Sequence, residues 1–510
     1  MSERWPTAIW AAGGLLFAVL ATANAGGYRY GASDQAFSIP AIVRALNPAA
    51  FPRDAALIDS QSRLTIFDEA AAAIVRVTGV SLDTVFIAGY LSTVALLWIA
   101  LLLIGSRLFP SPWCSVALGA IVTLRHRIPR TSVNSYEPYF YPRMLAFAIG
   151  ALAVASVLHR RPWIAALLAV ASAAVHPTTG LWFMVLIGVA MVVLDPLARR
   201  LATVGAVVAA GAAVWAVASG PFASSMTVMD ADWLAAVASK DSLFATAWPA
   251  WAWIANLALP AVLWWVHRRR TAQGTATDED AALVWGALAL VALFLLTLPG
   301  VAMRWALPTE FQVSRIFWLV DFLVAVYLVA WAGEHFTRAG LRHVVRAVAV
   351  GLLLLSAGRA AYVMLVEFPD RPLFQVHLRQ TPWQEAMDWL KQQPLGIHVY
   401  ADPGHATKYG TSVRVAAERD VFLEETKDSA MAIYSRGVAA RVLERRLLIA
   451  MAQLTRGRDI FSPDFVRQLT SHYGVDYVVT EDTLPLRLAY SNSQFHIYAL
   501  EPEAPEPHTQ

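Results

Sequence analysis

Long apolar stretches joined by short polar connections run through the first two thirds of the chain, and a mixed, more polar third follows. A membrane crossing needs about 20 predominantly apolar residues to traverse roughly 30 Å of hydrocarbon. By that measure the pattern predicts eleven helices, near 7–25, 85–107, 112–124, 144–158, 163–175, 180–194, 201–219, 243–266, 282–298, 312–333 and 345–366. The third to sixth are short for a full crossing, so tilted, broken or re-entrant segments remain open there. After residue 368 the period changes. Trp383, Met387 and Leu390, with Trp389 beside them, suit an amphipathic helix, and Ile397 to Tyr400 reads as a strand running into the turn Asp402-Pro403-Gly404. Residues 429–455 and 463–473 carry helical patterns, and Val475 to Thr480 and Phe495 to Leu500 read as strands. The predicted fold is a polytopic all-α membrane domain of about 11 helices with a small C-terminal α/β domain. The expected division is 1–368, including a long first loop at 26–84, then 369–502 and a disordered Pro- and Glu-rich tail at 503–510.

Composition agrees with the pattern. Hydrophobic residues make up 57% and charged residues 15%, against roughly 25% charged in a soluble domain. Basic residues gather at His159-Arg160-Arg161, Arg199-Arg200, His267 to Arg270 and Arg338 to Arg346, in alternate connections. Cytoplasmic loops carry that excess, so the N-terminus is expected inside, and the loop 26–84 and everything after Glu367 outside. The first helix ends in Ala23-Asn24-Ala25 and looks like a signal peptide, but it is read as retained, because it tethers the loop that follows. A net charge of +3 suggests no nucleic-acid partner, and the single cysteine, Cys114, excludes a disulfide framework.

Polar groups kept in so apolar a chain are where function is expected. Asp34 follows the first helix closely, and a carboxylate at that face can serve as a general base or hold a metal ion. The competing reading is a cap for the short helix that follows, with 39–46 and 64–77 both amphipathic and suited to a membrane surface. The next outside connection carries Arg125, His126, Arg127, Arg130, Asn134, Glu137, Tyr139, Tyr141 and Arg143. Arginine forks match phosphate oxygens, which accounts for cations on the side that normally lacks them; otherwise the third helix is no crossing and this loop is cytoplasmic. His176 makes a sharp turn between two short helices. Asp230, Asp232 and Lys240 around Trp233 read as an interfacial helix. Arg304, Glu310, Gln312 and Arg315 lead to Asp321, a charge at membrane depth that needs a cavity or a partner, with Arg304 or Arg315 expected to supply it. The charged run Arg414 to Asp428 reads mainly as a solvated face, and Asp402 to His405 lacks the spacing of a metal site.

With these residues in place the chain resembles the GT-C superfamily of membrane glycosyltransferases, which use polyprenyl- or dolichyl-phosphate-linked sugars. The resemblance covers the whole architecture, and its sharpest element is Asp34, where that family carries an acidic motif. It implies an extracytoplasmic glycosyl transfer with Asp34 as base, Asp54 as a second acid, and Arg125, Arg127, Arg130, Arg143, Arg304 and Arg315 as candidates for the donor phosphate. Gln35, Tyr139, His176 and Asp321 are expected near the cavity. A lipid-linked sugar donor, a glycan, lipid or protein acceptor, membrane lipid and a divalent cation (Mg or Mn) are the partners and cofactor it allows, in a bacterial inner membrane. The family usually shows paired acids in that loop, whereas this chain reads Asp34-Gln35. Two further readings stay open: a transporter or flippase of lipid-linked glycans with Asp321 on its path, and a non-catalytic member of the same architecture.

Overall fold

The computed structural model describes residues 6–220, 222–240, 242–456 and 461–500, so the tail expected at 503–510 lies outside the described residues. The chain forms two compact units. The first comprises the N-terminus to Tyr28, Thr84–Val228 and Asp241–Val376; the second comprises Arg29–Asp83, Met229–Lys240 and the chain from His377 onward. The loop 29–83 thus groups with the C-terminal segments.

All eleven expected apolar segments are helical: Thr7–Asn24, Leu82–Leu108, Pro112–Thr123, Pro142–Leu158, Pro162–Val175, Pro177–Leu194, Pro196–Ala218, Ala250–Ala272, Asp278–Ala302, Ile316–Arg338 and Arg342–Tyr362. Five of them start on a proline, which has no N–H to lose at a first helical position and a φ already suited to the helix. Among the described residues, seven helices are long and apolar enough to cross a membrane. Pro112–Thr123, with 12 residues, reaches only about 18 Å at 1.5 Å per residue, and Pro162–Val175, with 14, about 21 Å. Close backbone approach holds the short pieces together: a Cβ on Gly180 would lie 2.1 Å from the Ala173 backbone.

One end of this unit is fastened by buried ions. Arg270 donates to Asp280 (2.8 Å) and Glu334 (2.9 Å), and the three residues are at most 9% exposed. Arg160 pairs with Glu279 at 2.6 Å, and Arg338 donates to the Gln273 carbonyl at 3.0 Å. The basic clusters of 159–161, 267–270 and 338 thus meet at the same end. The 124–141 connection meets the opposite end of Ile316–Arg338, where Trp318 donates to the Ser135 carbonyl at 3.2 Å.

The second unit is built on a five-stranded sheet in the order Asp420–Val421, His398–Tyr400, Tyr477–Thr480, His496–Ala499, Arg487–Ser491. The first three strands are parallel and the last two antiparallel. Trp383, Met387 and Leu390 of the helix Pro382–Lys391 lie with Val399, Val421, Val479, Phe495 and Ile497 in its core. Two strands had no sequence signal. Asp420–Val421 is two residues long, and Arg487–Ser491 faces solvent along most of its length, so neither alternates. The loop 29–83 adds three helices, Gln35–Leu46, Ala55–Ser62 and Phe67–Thr78. Gln35–Leu46 packs against Phe67–Thr78, Ala55–Ser62 and the 413–416 turn of the second unit, while Ile74 and Val77 of Phe67–Thr78 stay exposed. Trp233, expected at an interface, is 2% exposed and donates its indole N–H to the Ala432 carbonyl at 2.7 Å.

Candidate functional site

Asp34 is held by an unusual turn. Gly31 (φ +78°) and Ser33 (φ +55°) bend the chain into the helix Gln35–Leu46. A Cβ on Gly31 would come 2.9 Å from the Leu378 side chain, so glycine is required there on two counts. The Asp34 carboxylate does not cap the helix it precedes, against the capping alternative. Its Oδ1 accepts from Lys427 Nζ at 2.9 Å, with the two side chains 31% and 12% exposed. Lys427 also stands 4.7 Å from the Phe37 ring centre, so its charge is held by a carboxylate and a ring face together. Lys240 donates to the Thr426 carbonyl at 2.9 Å. Burial, and next the charge of Lys427, push the Lys240 ammonium below its usual range, while Asp34 pulls it back. Two of the chain's four lysines thus share the field of one carboxylate. Neither was legible as a site residue, because each lies in a charged stretch of ordinary composition far from residue 34.

Gln35, adjacent to Asp34, is wholly buried, and its Oε1 accepts from Gly31 N–H at 2.7 Å. The amide therefore shapes the turn that presents Asp34.

Asp54 lies in a separate, closed network. One oxygen accepts from Arg414 Nε at 2.7 Å and from Val421 N–H at 3.1 Å; the other takes an Arg441 guanidinium N–H. Arg414, 1% exposed, also holds Asp428 at 2.5 and 3.1 Å and approaches Glu424 at 3.7 Å. Burial alone would raise the Asp54 pKa, but Arg414 and Arg441 hold it well below the ordinary carboxylate range. Asp420, which accepts from the backbone N–H groups of Arg53 and Asp54, is pushed up to about 6 by burial and by the Asp54 charge. The run expected as a solvated face is thus the ionic core of the second unit.

The remaining candidates lie in the first unit. Asp321 is the sixth residue of Ile316–Arg338, and its partner is His126 Nε2 at 3.1 Å, in place of the expected Arg304 or Arg315. The hydrogen bond to Asp321 raises the His126 pKa above its usual value, with burial opposing. His126 is half exposed, so the bond adds modest stability. That contribution is full below the unfolded histidine value of about 6.5 and is lost as pH rises through the raised folded value. The difference in thermal stability between wild type and His126→Gln is expected to be largest in acid and to vanish in alkali; a difference that grows with pH would contradict the pairing.

Arg143 donates to Glu137 at 2.9 Å and to the Tyr141 hydroxyl at 3.2 Å, and Tyr139 and Tyr141 rings sit 6.3 Å apart. Arg127 is in the two-stranded ribbon Arg127–Ile128 with Val133–Asn134, and Arg130 takes φ +54° at its turn. Arg125 Nε and Arg304 Nη1 are buried without a hydrogen-bond partner among the described residues, and Arg304 covers the Phe244 ring at 4.3 Å. Arg315 stands immediately before Ile316–Arg338. His176 caps the helix Pro177–Leu194, its Nδ1 accepting from Thr179 N–H at 3.2 Å.

No family model matches the chain, and no curated protein does. Solved structures of the archaeal oligosaccharyltransferase AglB from Archaeoglobus fulgidus are similar to it. The apo form shares 12% identity over 94% of this chain and 70% of that one, with a TM-score of 0.47. The form with zinc and sulfate shares 11% over 93% and 68% (TM-score 0.43). The form with an inhibitory peptide and dolichol-phosphate shares 11% over 94% and 69% (TM-score 0.45).

Proposed function

We propose that the protein is a membrane glycosyltransferase that moves a sugar from a polyprenyl-phosphate-linked donor to an acceptor hydroxyl on the extracytoplasmic side, with Asp34 as general base. The observation that carries this reading is the Asp34–Lys427 pair with Lys240 beside it. Glycosyl transfer of this kind needs a carboxylate to take a proton and fixed cations to receive the charge left on phosphate. Asp34 takes the proton of the acceptor hydroxyl as its oxygen bonds to the anomeric carbon. The bond from that carbon to the phosphate oxygen breaks, its electron pair leaves with the lipid phosphate, and configuration inverts. Lys427, with three N–H donors, can bridge Asp34 and a phosphate oxygen, and Lys240 adds a second ammonium. Stabilising the charge that develops in the transition state is usually what lowers such a barrier most.

A divalent cation does not suit the donors around Asp34. Lys427 stands 2.9 Å from its oxygen, the Gln35 oxygen is taken by Gly31, and Asp54 is enclosed by two arginines. Among the described residues no group of three or more acidic, histidine or cysteine side chains is suited to a metal. The lysines supply the positive charge instead.

The test uses the purified chain in nanodiscs with a panel of polyprenyl-phosphate sugars and crude envelope glycan as acceptor, following lipid phosphate release by mass spectrometry. Sugar-dependent release is expected, unchanged by EDTA and reduced about 10²- to 10⁴-fold in Asp34→Asn. Release that survives Asp34→Asn would remove the assigned base. Absence of release with every donor would favour the transporter or non-catalytic reading.

A further inference from the structure

The second unit contains another crevice, made by its sheet. The chain leaves the strand His398–Tyr400 for Asp420–Val421 on one side, then returns on the other side as Tyr477–Thr480. Connections that depart to opposite sides of one strand leave a gap at the carboxyl ends of the parallel strands, which is where ligands of such sheets bind. Here the gap is a cavity of about 170 Å³ lined by the residues that end those strands, Tyr400 and Asp402 from one, Glu481 and Asp482 from the other, with Lys408 and Tyr409 between.

Its groups are fixed in place. Glu481 accepts from Lys408 Nζ (2.7 Å), the Tyr409 hydroxyl (3.0 Å) and Gln494 Nε2 (2.7 Å). Asp402 accepts from Gly404 N–H at 2.8 Å and lies 3.6 Å from Lys408. Tyr400 lines the cavity although it is only 3% exposed, and its hydroxyl has no hydrogen-bond partner among the described residues. Burial, then the Asp402 charge, push that hydroxyl's pKa up, so it stays a neutral donor.

The chemistry selects a ligand class. Three carboxylates face one ammonium, so a phosphate or uronate would be repelled. Carboxylates accept strongly from hydroxyls, Phe461 and Val479 add apolar lining, and the volume falls below the 300–1,000 Å³ or so of drug-sized sites. We propose that this crevice binds one neutral sugar ring, as at the end of a glycan, through hydroxyl contacts to Asp402, Glu481 and Tyr400. No residue of the Asp34–Lys427 pair takes part, so this binding stands or falls apart from the transfer reaction.

Saturation-transfer-difference NMR on the full chain in nanodiscs, with methyl glycosides of several neutral hexoses and pentoses, tests the proposal. Saturation transfer to at least one neutral glycoside is expected, and transfer to methyl glucuronide should be weaker. Tyr400→Phe and Glu481→Gln should weaken binding about tenfold or more at unchanged thermal stability, whereas Asp34→Asn should leave it intact. The proposal is overturned by equal signals in wild type and both cavity variants, by preference for the glucuronide or for an amine probe, or by no signal from any glycoside.

Discussion

Arg414→Met is expected to unfold the second unit. The guanidinium is 1% exposed and faces three carboxylates, Asp54, Asp428 and Glu424. Removing one partner of a buried ion pair leaves the other as an uncompensated charge, at a cost of about 3–5 kcal/mol. Here the loss touches three carboxylates. A typical domain has only about 5–15 kcal/mol in hand, so most of that reserve is at stake. Thermal scans with protease mapping would read it: cleavage should appear within 29–83 and 377–500 at temperatures where wild type resists, while the helices of the first unit stay protected. A variant as resistant as wild type would mean that Arg441 neutralises the cluster without Arg414. Asp54→Asn is the milder companion, since the amide oxygen still accepts from Arg414.

Lys427→Met is expected to cost transfer activity without costing the fold. The pair with Asp34 is partly exposed, so its loss should change stability by no more than about 1 kcal/mol. If Lys427 receives charge on the departing phosphate, removing it should lower turnover about 10²- to 10³-fold, the scale of losing one preorganised donor. Groups that act as a unit are strongly non-additive. The double variant with Asp34→Asn should therefore be little worse than the more damaged single one. Multiplying effects would place the two residues in separate steps and remove Lys427 from the phosphate. Lys427→Arg, which keeps the charge but changes its shape, should recover part of the activity.

Both predictions concern residues that the charged run at 414–428 made conspicuous without revealing their use. In sequence Arg414, Asp428 and Lys427 look like parts of one solvated face. In the structure Arg414 turns to Asp54, 360 positions away, and Lys427 to Asp34, 393 positions away. A pairing across that separation leaves no local period, because neither partner's spacing depends on the other. The same holds for His126 with Asp321 and for Trp233 with the Ala432 carbonyl. Each of these side chains was visible, but its partner was not.

The apolar helices were legible because hydrocarbon length and helical rise impose themselves on consecutive residues, and all eleven segments fold as helices. So was the core of the sheet unit, where Trp383, Met387 and Leu390 repeat at helical spacing and Val399 and Val479 sit in strands. Asp34 could be singled out for its place after the first helix. What tertiary structure alone decided is the grouping of the chain and the fate of its charges. The loop 29–83 and the stretch 229–240 group with the C-terminal sheet through contacts to distant residues: Asp54 to Arg414 and Arg441, Asp34 to Lys427, and Trp233 to the Ala432 carbonyl. Asp54 becomes an ionic anchor and Asp34 the partly exposed partner of Lys427 for the same reason: a buried charge is tolerable only where a counter-charge meets it, and the backbone path, not the local sequence, sets where that happens.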